Sequence, residues 1–473
     1  MTNIQKKIES IKTFNILIKK HNSNTYLNII LFIVHNFAKK IVSHKKKIAF
    51  STLGCKLNFL ETSMIASQFN DSNYAIVDEK EKADIYIINT CTVTSSADKK
   101  SMSVINKLKK QNPEARFIIT GCLAQLQSDK FSNNNNVLVV GNAGKQNIKN
   151  YIENYDNGVI ACEYSDLNSF FPAYSFGDRT RSFLKIQDGC DYFCSYCTVP
   201  YARGKSRNTA MAEIVNTAEK LSRQNCKEII LSGINLGDFG KTTGEKLIDL
   251  FRSLDKVEGI KRYRISSIEP NLLTEEIIDF VSSSHKFMPH FHIPLQSGSD
   301  FILALMKRRY NTSLFKKKVE QIKNKMPHAA IGADVITGFP GESDKYFLET
   351  YKFIETMDLS YLHVFRYSDR KGTPAYKMTD KVSSTIKKER SNILHKLSNE
   401  LQKKFILYQA DNEHMILFEK YNNNGNMYGY TENYIRVKTV YNQVFANKII
   451  KAKIKADINK NLALLENGTE TIM

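Results

Sequence analysis

Residues 189–204 read GCDYFCSYCTVPYARG, with Cys190, Cys194 and Cys197 spaced CxxxCxxC. Three thiols in so short a loop can face one side of a metal cluster and leave one metal position without a protein ligand. A structural zinc site wants a fourth Cys or His at short range, and none stands here. A redox CxxC would use Cys194 and Cys197 but leave Cys190 without a role.

Immediately before the loop, SFLKIQDG (182–189) is an apolar strand. After it come further strands at 227–232, 262–268, 290–295, 329–336 and 361–367, separated by helical patterns at 209–225, 244–256, 273–284, 312–325 and 343–357. Strands alternating with helices build parallel sheets. Six such units make a partial barrel, short of a closed (β/α)8 barrel. Sites on such barrels form at the strand C-terminal ends, which is where the CxxxCxxC loop begins.

Upstream the same alternation recurs. KIAFSTLGC (47–55), ADIYIINTC (83–91) and RFIITGC (116–122) are strands ending in Cys55, Cys91 and Cys122. In open α/β sheets the C-terminal strand edge forms the ligand crevice. One such cysteine reads as packing; three at one topological position read as a shared site for zinc or an iron–sulfur cluster. Cys162 and Cys226 read as packing residues. The fold class expected is therefore α/β: an N-terminal open parallel α/β domain over 47–160, then a (β/α)6 partial barrel over 176–407. A small C-terminal β-barrel follows over 408–470.

The chain of 473 residues has 42% apolar and 25% charged residues, with a net charge of +20. That composition excludes wholesale disorder and collagen-like or coiled-coil architectures. An excess of positive charge suggests a nucleic-acid partner, but residues 1–47 alone carry ten Lys and one Glu. Their apolar run, Tyr26 to Ala38, is shorter than the roughly 20 residues of a membrane span. It is followed by IVSHKKK rather than a small-residue cleavage site. Residues 1–46 are read as a poorly ordered basic extension. A cytoplasmic protein without structural disulfides or stable membrane association is expected.

A CxxxCxxC loop after the first strand of a six-strand partial barrel resembles the radical S-adenosylmethionine superfamily. With the three upstream cysteines, the chain resembles its methylthiotransferases. STLGCKLNFLET (51–62), NTCTVTSSADKKS (89–101), TGCLAQ (120–125), LSGINLGDFG (231–240), RISSIEP (264–270), HIPLQSGSD (292–300) and DVITGFPGE (334–342) are most similar to the branch acting on tRNA threonylcarbamoyladenosine.

The resemblance implies two [4Fe–4S] clusters and S-adenosyl-L-methionine as cofactors. Cys190, Cys194 and Cys197 would hold the cluster that cleaves S-adenosylmethionine to a 5′-deoxyadenosyl radical. Cys55, Cys91 and Cys122 would hold an auxiliary cluster carrying the sulfur. The substrate would be position 37 of a tRNA anticodon loop, and an electron donor and a sulfur source are required. Isopentenyladenosine in tRNA or a ribosomal protein are the alternative substrates within the family, and a non-catalytic iron–sulfur RNA-binding module is the alternative outside it. Gly233, Glu269 and Gln296 end the second, third and fourth barrel strands and are expected to contact the cofactor.

The RNA-facing candidates are Arg203, Lys205 and Arg207 beside the cluster loop, and Lys451, Lys453 and Lys455, whose alternation puts them on one strand face. MKRRY (306–310) reads as a basic helix end. Residues 385–407 read as a Lys-rich helix leading to short strands and an Asn424–Gly425 turn, a pattern resembling the TRAM module. There Tyr428, Tyr430 and Tyr434 could stack on bases.

Overall fold

The computed structural model describes residues 45–70, 73–131, 135–175, 180–466 and 468–473, so the basic extension lies outside the described residues apart from its last two. No helix among the described residues is long and apolar enough to cross a membrane.

The N-terminal unit is built from β1 (Lys46–Thr52), α1 (Lys56–Ser67), β2 (Tyr74–Val77), β3 (Ile85–Thr90), α2 (Ser95–Gln111), β4 (Arg116–Gly121), α3 (Cys122–Leu126), β5 (Val137–Val140), α4 (Ile148–Asn154) and β6 (Gly158–Ile160). All six strands are parallel, in the order β2-β1-β3-β4-β5-β6. Every residue of β3 is buried, which explains why it reads as a continuous apolar run rather than an alternating one. Strand order reverses between β1 and β3, the switch point at which such sheets open a crevice. Cys55 and Cys91 follow those two strands.

The second unit begins with β7 (Arg181–Lys185), followed by α5 (Val199–Arg203), α6 (Met211–Arg223), β8 (Glu228–Ser232), α7 (Leu247–Asp255), β9 (Arg262–Ile265) and α8 (Glu275–Ser283). It continues through β10 (His290–His292), α9 (Asp300–Leu305), α10 (Thr312–Lys325), β11 (Ala330–Thr337), α11 (Asp344–Thr356) and β12 (Tyr361–Arg366). Strands β7-β8-β9 and β10-β11-β12 form two parallel three-stranded sheets. Only the isolated bridges Tyr263–Phe287 and Ser267–His292 join β9 to the β10 region. One strand face packs on the helices, with Leu184, Ile229, Tyr263, Phe291, Ile331 and Leu362 in one core. By strand alternation the other face turns Phe183, Glu228, Arg264, His290, Asp334 and Tyr361 into the lumen.

Helix α12 (Ser384–Gln409) spans two cores. Leu394, Leu397 and Leu401 join the partial barrel, while Phe405 and Ile406 join the C-terminal unit. That unit comprises β13 (Glu413–Phe418), β14 (Asn426–Tyr430), β15 (Arg436–Val440), β16 (Ile449–Asp457), β17 (Leu462–Leu465) and β18 (Thr471–Ile472). The order β13-β14-β15-β17-β16 is closed by β13–β16 pairing into a five-stranded barrel, to which β18 adds. The Asn424–Gly425 turn has φ of 50° and 79°, the positive pair that a tight hairpin demands.

This barrel docks on the N-terminal ends of β7–β9. Arg264 donates to the carbonyls of Thr431 at 3.3 Å and Glu432 at 3.0 Å, and Arg262 to that of Tyr430 at 3.1 Å. Glu228, fully buried, supplies the counter-charge to Arg264 at 3.1 Å.

Candidate functional site

The CxxxCxxC loop is closed at its neck. Asp188 and Arg207 exchange backbone hydrogen bonds of 2.9 and 2.8 Å. Gly189 at φ 73° lets the returning strand pass so closely that a Cβ would meet the Lys205 carbonyl at 2.0 Å. The far end is pinned by Ser195, whose N–H donates to Met306 and whose carbonyl accepts from Ala375.

The three thiols of this loop are free. Burial pushes those of Cys190 and Cys197 up to about 12 and raises that of Cys194. Two donors oppose it: Arg308 Nη1 lies 2.9 Å from Cys194 Sγ, and the Val199 N–H lies 3.4 Å from Cys197 Sγ. Cys194 is buried and Cys190 and Cys197 are half-buried, and thiols so placed fit metal coordination, where a cation deprotonates the ligand outright.

The N-terminal trio is also brought to one edge. Cys55 caps α1, Cys91 follows β3, and Cys122 opens α3. Burial raises the Cys91 thiol to about 11 and also raises Cys122; each thiol feels the other two or their neighbours, and Arg203 pulls both down. Gly54 at φ 99° lets Cys91 close in, since a Cβ there would meet its Sγ at 2.7 Å. Among the described residues, the only three His, Cys or carboxylate groups with ligand atoms all within 4.8 Å are His292, Asp334 and His363. Neither cysteine trio is therefore as tight as a tetrahedral zinc, with sulfurs about 3.8 Å apart at its Zn–S bond lengths.

Both trios hang on one buried ionic seam. Arg203 donates to Glu61 at 2.9 Å, Asn58 at 2.7 Å and Asp188 at 3.1 Å. Lys185 and Lys145 reach the same Glu61 carboxylate at 2.9 and 2.5 Å. Burial works against the charge on Glu61, but Arg203, Lys145 and Lys185 overcome it and hold the carboxyl well below its usual range.

This corrects the reading of Arg203 and Arg207 as phosphate contacts. Arg203 is 1% exposed, and Arg207 is buried with its guanidinium on the carbonyls of Ser169 and Arg203. Of that group only Lys205 is exposed. The reading of MKRRY as a mere helix end is corrected too. α9 stops at Leu305, and Arg308, its side chain 3% exposed, joins Cys194 to Glu269 in an ion pair.

Glu269 thus stands beside the cluster loop, its carboxyl raised by burial. Gln296 ends β10's run at φ 63°, with its N–H on the Asp334 carbonyl at 2.7 Å. At Gly233 the missing side chain leaves no open space for a cofactor, because a Cβ would meet Leu236 at 2.7 Å and Gln187 Oε1 at 2.9 Å. Gln187 uses that room to accept from the N–H groups of Ile234 and Asn235, both at 2.9 Å.

In the C-terminal barrel Lys451, Lys453 and Lys455 do share the outer face of β16, opposite buried Ile450, Ala452 and Ile454. Lys451 pairs with Glu413 and Lys455 with Glu466, leaving Lys453 exposed between them. Tyr430 and Tyr434 are taken up by docking, stacked on each other under Arg181 and Arg264. Tyr428 packs under Arg436 instead. Cys226 is buried, its thiol donating to the Glu228 carbonyl, and Cys162 lies half-buried near the Ile160 carbonyl.

Residues 47–141 match the Uncharacterized protein family UPF0004, and residues 184–354 match the Radical SAM superfamily. The chain is 40% identical over 421 residues to the threonylcarbamoyladenosine tRNA methylthiotransferase MtaB of Bacillus subtilis (strain 168), covering 86% of this chain and 93% of that one. It is 38% identical over 400 residues to MtaB of Aquifex aeolicus (strain VF5), covering 83% and 96%. It is 34% identical over 368 residues to the tRNA-2-methylthio-N(6)-dimethylallyladenosine synthase of Syntrophus aciditrophicus (strain SB), covering 75% and 80%.

Proposed function

The chain belongs to the radical S-adenosylmethionine methylthiotransferases, in their MtaB branch, and from that premise we propose that it converts N6-threonylcarbamoyladenosine at position 37 of tRNA into its 2-methylthio derivative. The observation that carries the reading is the common seam: Arg203 and Glu61 fix both cysteine trios to one buried anchor beside the lumen.

In this reading Cys190, Cys194 and Cys197 hold one [4Fe–4S] cluster, and Cys55, Cys91 and Cys122 hold the second. When bound, these groups supply the electron that opens S-adenosylmethionine and the sulfur that is transferred. The chain's own residues supply placement. Arg308 and Glu269 offer a paired cation and anion next to Cys194, suited to a cofactor with both an amino and a carboxylate group. Gln296 faces the same mouth. The Gly233 turn acts through Gln187, which ties it to the loop neck. Helix α1 and the C-terminal barrel cover the lumen and keep water from reactive species. Lys205 and Lys453 remain exposed for RNA phosphates, and an external reductant feeds the first cluster.

The test is mass spectrometry of tRNA nucleosides from a host lacking its own enzyme of this branch, with and without this gene. Appearance of the 2-methylthio-threonylcarbamoyl nucleoside establishes the reaction. Its absence, with S-adenosylmethionine still cleaved, moves the assignment to the isopentenyl nucleoside or a ribosomal protein.

A further inference from the structure

Lys56 directly follows Cys55 and opens α1. Its neighbours Leu57 and Leu60 pack with Phe183 and Ile230 in the seam between the domains, whereas Lys56 itself is exposed. Its ammonium lies 5.9 Å from the centroid of the Phe183 ring, on the lumenal face of β7. Burial first, then Arg264, His292 and Lys56 push His290 on β10 well below the usual imidazole range. The Lys56 charge therefore stands against the lumenal face of β7, one residue from a thiol of the N-terminal trio.

The other lumenal cations have counter-charges. Lys185 and Arg203 share Glu61 and Asp188. Arg262 and Arg264 share Glu228, and Arg308 has Glu269. Among the described residues no carboxylate pairs with Lys56. An exposed cation left without a carboxylate beside the lumenal Phe183 suits an anionic ligand.

We propose that Lys56 binds the carboxylate of the substrate's threonylcarbamoyl group and so selects an anionic N6 substituent over an apolar one. The inference rests on the function proposed above. An α-carboxylate is ionised at neutral pH. It hangs several bonds from the C2 carbon that receives sulfur, and a lysine's flexible four-carbon stem, rooted beside Cys55, bridges that gap. Once bound RNA covers Lys56 and excludes water from it, the site rejects a substrate lacking the charge, because the ammonium is then left without a partner.

The experiment compares wild-type holoenzyme with Lys56→Gln and Lys56→Arg. The substrates are anticodon stem-loop RNAs carrying threonylcarbamoyladenosine, its neutral threoninamide analogue, or isopentenyladenosine. Methylthio product is followed kinetically, with iron content measured on each protein. Lys56→Gln is expected to raise KM for the acid about 10- to 100-fold, the size of a lost charged hydrogen bond, and to lower kcat far less. Lys56→Arg should restore most of the affinity. The amide should show one KM with wild type and Lys56→Gln alike. An unchanged KM for the acid in Lys56→Gln overturns the proposal, as does wild type that treats acid and amide equally, or a Lys56→Gln protein that loses iron. Wild type that modifies only the isopentenyl RNA overturns the substrate reading itself, a result distinct from the other three.

Discussion

The Arg203 guanidinium donates to the Glu61 carboxylate at 2.9 Å across the boundary between the N-terminal sheet and the partial barrel. Arg203 stands six residues after Cys197, and Glu61 six residues after Cys55. Truncating Arg203 to Ala removes the one forked donor that meets Asn58, Glu61 and Asp188 together, while Lys185 still pairs with both carboxylates. A loss of about 3 kcal/mol is expected, the low end for breaking a buried ion pair from one side, because Lys145, Lys185 and Arg207 still compensate the two carboxylates. Arg203→Lys should recover only part, because an ammonium cannot reproduce the fork that meets Asn58, Glu61 and Asp188 together. Denaturant unfolding of the purified chains measures both, and an unchanged midpoint for Arg203→Ala refutes the expectation.

Single cysteine variants should separate the two trios. Cys194→Ala is expected to lose about half of the bound iron and to abolish S-adenosylmethionine cleavage. Cys91→Ala is expected to lose a similar share of iron while retaining cleavage without methylthio product. Iron analysis and 5′-deoxyadenosine release check the pair. Equal loss of cleavage in both variants would count against separate roles.

His414 joins the C-terminal barrel to its leading helix. Its Nδ1 is 2.8 Å from Glu432 and its Nε2 is 3.0 Å from the Gln409 carbonyl, so both nitrogens face acceptors. Burial works to lower its pKa, but Glu432 and that carbonyl hold it above its usual value. A raised folded-state pKa gives stability that is complete below the unfolded value, about 6.5, and is lost as pH rises through the folded one. Glu432 is displaced the other way: burial would raise it, His414 lowers it, and its contribution is lost only in acid. Hydrogen exchange at Met415, whose N–H bonds Glu432 at 2.8 Å, should show greater protection at pH 6 than at pH 8.5 after correction for intrinsic rates. In His414→Gln the difference should vanish.

On β16, Lys453→Glu should weaken tRNA binding more than Lys451→Glu or Lys455→Glu, since those two are already paired with acids. If Lys453 meets one phosphate, its loss should flatten the dependence of log affinity on log salt by about 0.7–0.9. Titrations at several salt concentrations read this directly, and an unaltered slope removes Lys453 from the RNA interface.

The barrel strands and the placement of six cysteines at strand ends and in the CxxxCxxC loop were legible because their signals are local: apolar runs with turn residues, and closely spaced thiols. Strands β2, β5 and β6 were not, because YAIV, VLVV and GVI are too short to display a period and join the sheet only through neighbours already in place. Arg203 was misread for a different reason. In YARGKSR it looks like one of three surface cations, and its partner Glu61 lies 142 residues away. Arg308 was misread similarly, its partners Cys194 and Glu269 being 114 and 39 residues off. Side chains that act through tertiary pairing leave no periodic trace.

The break between β9 and β10 makes the barrel wall two plates instead of a continuous shell. A ladder of hydrogen bonds resists shear along its whole length, whereas two isolated bridges do not. Glu228 and its arginines ride on one plate, and His290, His292, Asp334 and His363 on the other. The C-terminal barrel spans that break: Arg262 and Arg264 of one plate donate to its carbonyls, while its Tyr434 packs on His290 and its Asn433 donates to the His328 carbonyl at the other. A force applied to that barrel, such as the pull of a bound RNA, would be delivered as a change in the bore of the chamber.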